Sequence, residues 1–221
     1  MAAISGLYAV TPETGATAVE QDRLFASVGL VLEGGASVLQ YRCKSPDFSF
    51  RLSQAQRLKR LCQRYGVSFI VNDDVELAAQ VQADGVHLGR EDAAIPVARA
   101  RLGRSALIGA SCYDDLTRAG AAVNAGADYL AFGSFFPSSV KPGAVRPSLD
   151  LLREARRRWR LPLVAIGGIT AQNASKVIEA GADAVAVITA VFSCSDPSES
   201  ARSIARLFDA GAQGEDSTVT T

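Results

Sequence analysis

Two acidic side chains, three basic ones and several glycines and hydroxyls stand where a charged small molecule could be held. In Leu39-Gln-Tyr-Arg-Cys-Lys44, the residues Gln40, Arg42 and Lys44 recur at every second position. On an extended chain all three project to one side. Two cations and an amide converging there suit a diphosphate attached to a polar ring. Cys43 has the opposite parity and is expected to pack outward as a small hydrophobe. Further on, Val71-Asn-Asp-Asp74 and His87-Leu-Gly-Arg-Glu-Asp92 each end an apolar run in carboxylates. Asp73 and Asp92 are the expected pair. Two carboxylates without imidazole partners favour a hard cation, and Mg²⁺ commonly takes one or two carboxylates plus phosphate oxygens. Asp74 and Glu91 compete for that role, and the structural alternative is that Asp73 or Asp92 caps a helix.

A second anion site is suggested later in the chain. Gly133–Gly143 carries hydroxyls at Ser138 and Ser139 and a cation at Lys141, with Pro137, Pro142 and Gly143 shaping the loop. Gly167-Gly168-Ile-Thr170 offers backbone amides and an expected helix start at Thr170, and Ile188-Thr189 closes the last apolar run. Ser111, at the end of Gly109-Ala-Ser111, is within plausible reach of a ligand. The chain has a single histidine, His87, inside an apolar run, where it is expected to be a hydrogen-bonded interior residue. One imidazole excludes a site built on two histidines. The 4 cysteines, Cys43, Cys62, Cys112 and Cys194, contain no C-x-x-C pair, which excludes a zinc knuckle and a thioredoxin-like motif.

The elements that must position these residues alternate along the chain. Expected strands are Gly6–Thr11, Val38–Arg42, Ser68–Asp73, Gly85–Gly89, Leu107–Cys112, Tyr129–Ser134, Leu163–Gly168 and Ala184–Thr189. Amphipathic segments such as Phe48–Tyr65, Asp114–Ala125, Leu149–Trp159, Ala171–Ala180 and Ser198–Ala210 follow, with Asp47, Asp114, Ser148 and Thr170 as expected N-caps. Eight strand–helix units predict a single α/β domain, a (β/α)8 TIM barrel over residues 1–210, with an open doubly wound sheet as the alternative. A repeated Ala-Asp, at 83–84, 127–128 and 182–183, ends a helix and opens a strand each time. The small polar tail 211–221 is expected to be disordered. In a barrel of this kind, function lies in the loops after the strands, and phosphate sites after strands 7 and 8 are usual.

Composition narrows the class. The 221 residues carry 23 basic and 23 acidic side chains, a balance that argues against nucleic acid or an anionic membrane as partner. No apolar run reaches the roughly 18–20 residues that span a bilayer, and Met1–Ser5 lacks the pattern of a secretory leader. The expectation is a cytoplasmic enzyme acting on two phosphorylated small molecules, in a form compatible with a homo-oligomer.

The same segments resemble the thiamine phosphate synthase family. The likeness runs through Leu7–Pro12, Gln40–Lys44, Asn72–Asp73, Gly85–Gly89 with Asp92, Gly109–Ser111, Phe132–Lys141, Ala165–Thr170 and Ile188–Thr189. It covers almost the whole chain; the order of the motifs is specific where no single one is. The family is a (β/α)8 barrel that joins an aminopyrimidine-methyl diphosphate to a thiazole phosphate, making thiamine phosphate and diphosphate. The resemblance implies that Gln40, Tyr41, Arg42, Cys43, Lys44, Asn72, Ser111 and Lys141 bind the pyrimidine diphosphate, and that Arg42, Lys44 and Lys141 are catalytic. It implies Mg²⁺, one per subunit, on Asp73 and Asp92, and a thiazole phosphate among Ser138, Ser139, Val140, Gly168, Ile188 and Thr189. Val140 departs from the Thr often found before the loop lysine, a difference expected to cost about 1 kcal/mol if a neutral hydrogen bond is lost. Two alternatives share the fold: a thiazole tautomerase, which leaves Arg42, Lys44, Asp73 and Asp92 without a task, and a thiamine-phosphate-binding barrel that does not turn over.

Overall fold

The structure, a computed structural model, describes residues 4–137 and 147–212. Eight parallel strands close in chain order into a barrel: β1 (Gly6–Val10), β2 (Ala36–Tyr41), β3 (Ser68–Asn72), β4 (Gly85–Leu88), β5 (Leu107–Tyr113), β6 (Tyr129–Gly133), β7 (Leu163–Ile166) and β8 (Ala184–Val187). The helices on its outside are α1 (Ala18–Glu33), α2 (Phe48–Tyr65), α3 (Val75–Gln80), α4 (Ile95–Leu102), α5 (Leu116–Asn124), α6 (Leu149–Arg158), α7 (Ala174–Glu179), α8 (Thr189–Phe192) and α9 (Pro197–Ala212). The barrel is closed, with β1 pairing β8, so the open-sheet alternative falls. The expected tail lies beyond the described residues from 213 onward, and α9 runs two residues past the expected boundary at 210.

Strand parity separates two cores. Leu7 and Ala9 of β1 face the helices, whereas Tyr8 and Val10 face the barrel interior. The interior core is small, built on Val38, Ile70, Tyr129, Ala131, Val164, Ala184 and Ala186. The outer core is far larger and holds Val28, Leu39, Leu58, Phe69, Ile108, Phe132 and Leu152, all essentially without exposed surface.

Local chemistry explains most helix ends. Thr17 and Glu20 form a reciprocal capping box on α1, a signal present in the sequence but not among the expected caps. Asp47 caps α2 as expected, accepting from the Phe50 amide at 3.1 Å, and Gly66 ends that helix at φ 68°. Two expectations shift. Asp115, not Asp114, caps α5, and α7 starts after Asn173, four residues beyond Thr170. Asn173 Oδ1 accepts from the Thr170 amide at 2.9 Å, so a side chain already occupies that donor.

The repeated Ala-Asp is a register clamp at the end of the barrel opposite the mouth. Asp84, Asp128 and Asp183 each accept from an amide in the first two residues of the preceding strand, Phe69, Ile108 and Leu163, at 2.7 Å. Each also pairs with a cation from the helix that leads into the clamped strand: Lys59 of α2, Arg99 of α4 and Arg156 of α6. One carboxylate thereby ties two neighbouring strands and a helix together.

Candidate active site

The carboxyl ends of the strands surround a cavity of about 220 Å³. Of the expected residues, Gln40, Arg42, Asn72, Ser111, Gly168, Ile188 and Thr189 line it, with Val10, Ala131, Val164, Ile166 and Ala186 as apolar wall. Described residues from both expected anion sites therefore line one space. Gly168, at φ 62°, has backbone oxygens of Pro137 and Phe136 where a Cβ would lie, so only glycine allows this approach of two loops.

The β2 segment divides at Tyr41, where the strand ends. Gln40 is buried and Arg42 reaches the cavity, where Nη1 donates to Glu13 Oε1 at 2.8 Å. Lys44 falls beyond the strand, so period-two alternation no longer directs it; it is exposed, lies outside the cavity lining, and its backbone amide donates to Glu13 Oε2 at 3.2 Å. The Tyr41 side chain turns away from the mouth toward α2, donating to Gln54 Oε1 at 2.8 Å, and stacks near Phe69. Cys43 packs against the outer core, as its parity implies. Tyr41 and Cys43 thus contribute no side chain to the cavity.

The acidic cluster sorts itself by occupation. Asp74 caps α3 through the Leu77 amide and pairs with Arg51 at 2.8 Å, which removes it from the competition. Glu91 is exposed, and Asp73 stands at φ 65° with its backbone amide bonded to the His87 carbonyl. Asp92 approaches it from the loop after β4 while accepting from the Gly89 amide. Partial burial and the facing Asp92 carboxylate push the Asp73 carboxyl up to about 7, with Arg42 and Asn72 opposing. Two carboxylates sharing a site in this way repel unless a proton or a cation lies between them. The pair fits a hard divalent ion completed by ligand oxygens; among the described residues no group of three or more His, Cys, Asp or Glu side chains could hold one alone.

Several residues that sequence reasoning did not single out join the site. Tyr8 and Tyr129, fully buried, bring their hydroxyls together at 2.9 Å beneath the mouth. Gly109 makes room for Tyr129: a Cβ there would sit 2.0 Å from the phenol ring. Tyr113 lines the cavity between the guanidinium groups of Arg90 and Arg118. Their signal was strand parity, since Tyr8 and Tyr129 share the inward phase of Val10 and Ala131. His87 is interior, as expected; Nδ1 lies 3.0 Å from Tyr129 Oη and Nε2 2.8 Å from Ser111 Oγ. Burial pushes its imidazole down to about 4, so it is neutral near pH 7. Cys62 and Cys112, pushed up to about 12 by burial, are inert thiols. Ser138, Ser139, Val140 and Lys141 lie outside the described residues.

Known proteins resemble this chain along nearly its full length. The family model described as thiamine monophosphate synthase matches residues 7–191. The chain is 52% identical over 205 residues to a thiamine-phosphate synthase of Thiobacillus denitrificans, covering 93% of this chain and 95% of that protein. It is 53% identical over 205 residues to the thiamine-phosphate synthase of an Azoarcus species, covering 93% and 98%. Among solved structures, a thiamine phosphate pyrophosphorylase from Pyrococcus furiosus superposes with a TM-score of 0.81 at 35% identity, covering 93% of this chain and 96% of that one. The family model and these relatives match nearly the whole chain, and the chain belongs to the thiamine monophosphate synthase family.

Proposed function

We propose that the protein joins an aminopyrimidine-methyl diphosphate to a thiazole phosphate, forming thiamine phosphate and releasing diphosphate. The observation that carries this reading is the pairing of two features in one cavity of a chain so close to the thiamine-phosphate synthases. Arg42 lines one flank, with the Asp73–Asp92 pair beside it on the neighbouring strand tops though outside the cavity lining, and Gly168, Ile188 and Thr189 line the other. One flank suits a diphosphate and the other a monophosphate, with an apolar slot for two rings between them.

The reaction needs little proton chemistry. The C–O bond to diphosphate breaks, its electrons leave with the diphosphate, and the lone pair of the thiazole nitrogen forms the new C–N bond. No hydrogen has to be taken from the nucleophile. The site agrees: both nitrogens of His87 are engaged by hydroxyls, so it offers no free base. Asp73 and Asp92 would hold Mg²⁺, which supplies positive charge to the departing diphosphate. Arg42 faces the same charge, and preorganised cations of this type typically contribute a factor of about 10²–10³ per group. By the family resemblance, Lys44 and Lys141 would join that role, and Ser138, Ser139 and Val140 would surround the thiazole phosphate. The apolar walls exclude water that would otherwise capture a pyrimidine-methyl cation.

Incubation with both substrates and Mg²⁺ tests this: thiamine phosphate and diphosphate should appear in equal amounts, and neither when one substrate is withheld. Isomerisation of a thiazole without consumption of the pyrimidine, or tight binding without turnover, would overturn it. The tautomerase alternative leaves Arg42 and the carboxylate pair unused.

A further inference from the structure

A continuous file of polar side chains crosses the barrel interior beneath the mouth, one from each of five strands. Gln40 Nε2 (β2) lies 3.1 Å from Tyr8 Oη (β1), and Tyr8 Oη lies 2.9 Å from Tyr129 Oη (β6). Tyr129 Oη lies 3.0 Å from His87 Nδ1 (β4), and His87 Nε2 lies 2.8 Å from Ser111 Oγ (β5). Gln40, Tyr8, Tyr129 and His87 are all buried. Each phenol and each neutral imidazole owns one hydrogen, so the bonds are not independent. Once one end is set, a single arrangement gives every hydrogen on the buried phenols and the imidazole an acceptor within the file.

The amide nitrogen sets that end, because it can only donate. Tyr8 then donates to Tyr129, Tyr129 donates to Nδ1, and the imidazole must carry its hydrogen on Nε2, donating to Ser111. Two poles are left over: the Gln40 carbonyl is free to accept, and the Ser111 hydroxyl hydrogen is free to donate into the cavity. We propose that this file is a one-directional hydrogen-bond relay in which Tyr8, Tyr129 and His87 are positioning residues, fixing Gln40 as an acceptor and Ser111 as a donor toward the ligand. A ring that presents an amino group to Gln40 matches this polarity; one that presents only an acceptor there meets a carbonyl. The tautomer at its heart is independent of any substrate, and only the kinetic consequence rests on the function proposed above.

His87 is the single histidine of the chain, so protein labelled with ¹⁵N at histidine reports one imidazole. The expected spectrum shows Nε2 bearing hydrogen and Nδ1 bare; an Nδ1–H tautomer overturns the relay. Gln40→Glu replaces the donor with a group that only accepts when ionised. With the new carboxyl shown ionised by its ¹³C shift, His87 should switch to the Nδ1–H tautomer, and an unchanged tautomer counts against the relay. In turnover, Tyr8→Phe should raise KM for the pyrimidine diphosphate about five- to tenfold, the scale of one hydrogen bond, with KM for the thiazole phosphate unmoved. Equal shifts in both, or none, count against it. Absence of turnover by the unaltered chain would sink the proposed function while leaving the tautomer result to stand.

Discussion

At the scale of single residues, Asp73 occupies a position that costs the empty fold stability. It sits at φ 65°, a backbone region that Asn and Asp tolerate better than other side chains, and faces another carboxylate. Its folded-state value of about 7 stands above the ordinary 3.8, so the folded chain holds a proton that the unfolded chain has released. Stability of the metal-free protein therefore declines as pH rises from about 4 to about 7 and stays lower above that. Asp73→Asn keeps the backbone preference and removes the repulsion. Its stability advantage in EDTA should grow across that interval and level off above it. With roughly 1 kcal/mol surviving solvent screening, the melting temperature at pH 8 should rise by about 2–4 °C, read by calorimetry. The same substitution should lower turnover by about 10²–10³, and Asp92→Asn likewise. Near-normal rates with unchanged Mg²⁺ dependence in both variants would remove the metal assignment.

At the scale of elements, the clamps on β3, β5 and β7 do for register what hairpin turns do in antiparallel sheets. Parallel neighbours are joined only through distant helices, so a slip of one residue would turn an inward face outward. Asp128 blocks that slip by accepting from the Ile108 amide and pairing with Arg99. Asp128→Ala leaves a backbone donor and a guanidinium without their shared acceptor. A loss of about 1–3 kcal/mol in urea unfolding is expected, with the KM values of the folded enzyme unchanged. The Ala-Asp repeat itself was legible in the sequence, but its role was not, because Phe69, Ile108 and Leu163 carry no mark of needing a clamp. Conversely, the end of β2 at Tyr41 decided the fate of Lys44, and strand ends are where periodicity loses its authority.

At the scale of the whole molecule, the barrel separates stability from chemistry. The clamps and most of the buried apolar surface lie at the helix–strand interface and opposite the mouth, whereas Arg42, Asp73, Asp92 and the Tyr8–His87 file gather at the other end. Removing Mg²⁺ should therefore abolish turnover without unfolding the chain. Far-UV circular dichroism in EDTA should match that of the metal-loaded protein, while diphosphate release stops and returns on adding Mg²⁺. A parallel collapse of the spectrum would mean that the ion supports the fold as well as the reaction.

The alternation of short apolar runs with amphipathic ones was enough to specify eight strand–helix units, since each element's period follows from its own backbone geometry. The same local logic made Gln40, Arg42, Ser111, Gly168, Ile188 and Thr189 legible as mouth residues, because they stand near or just past strand ends, whereas Asn72 came through the family resemblance. Only the tertiary structure occupies Asp74 with a helix cap and Arg51 and sets Asp73 against Asp92; no single segment carries that information. The file from Gln40 to Ser111 likewise belongs to no segment. It joins residues up to 121 positions apart, and only closure of the barrel brings five strands to within hydrogen-bond distance of one another.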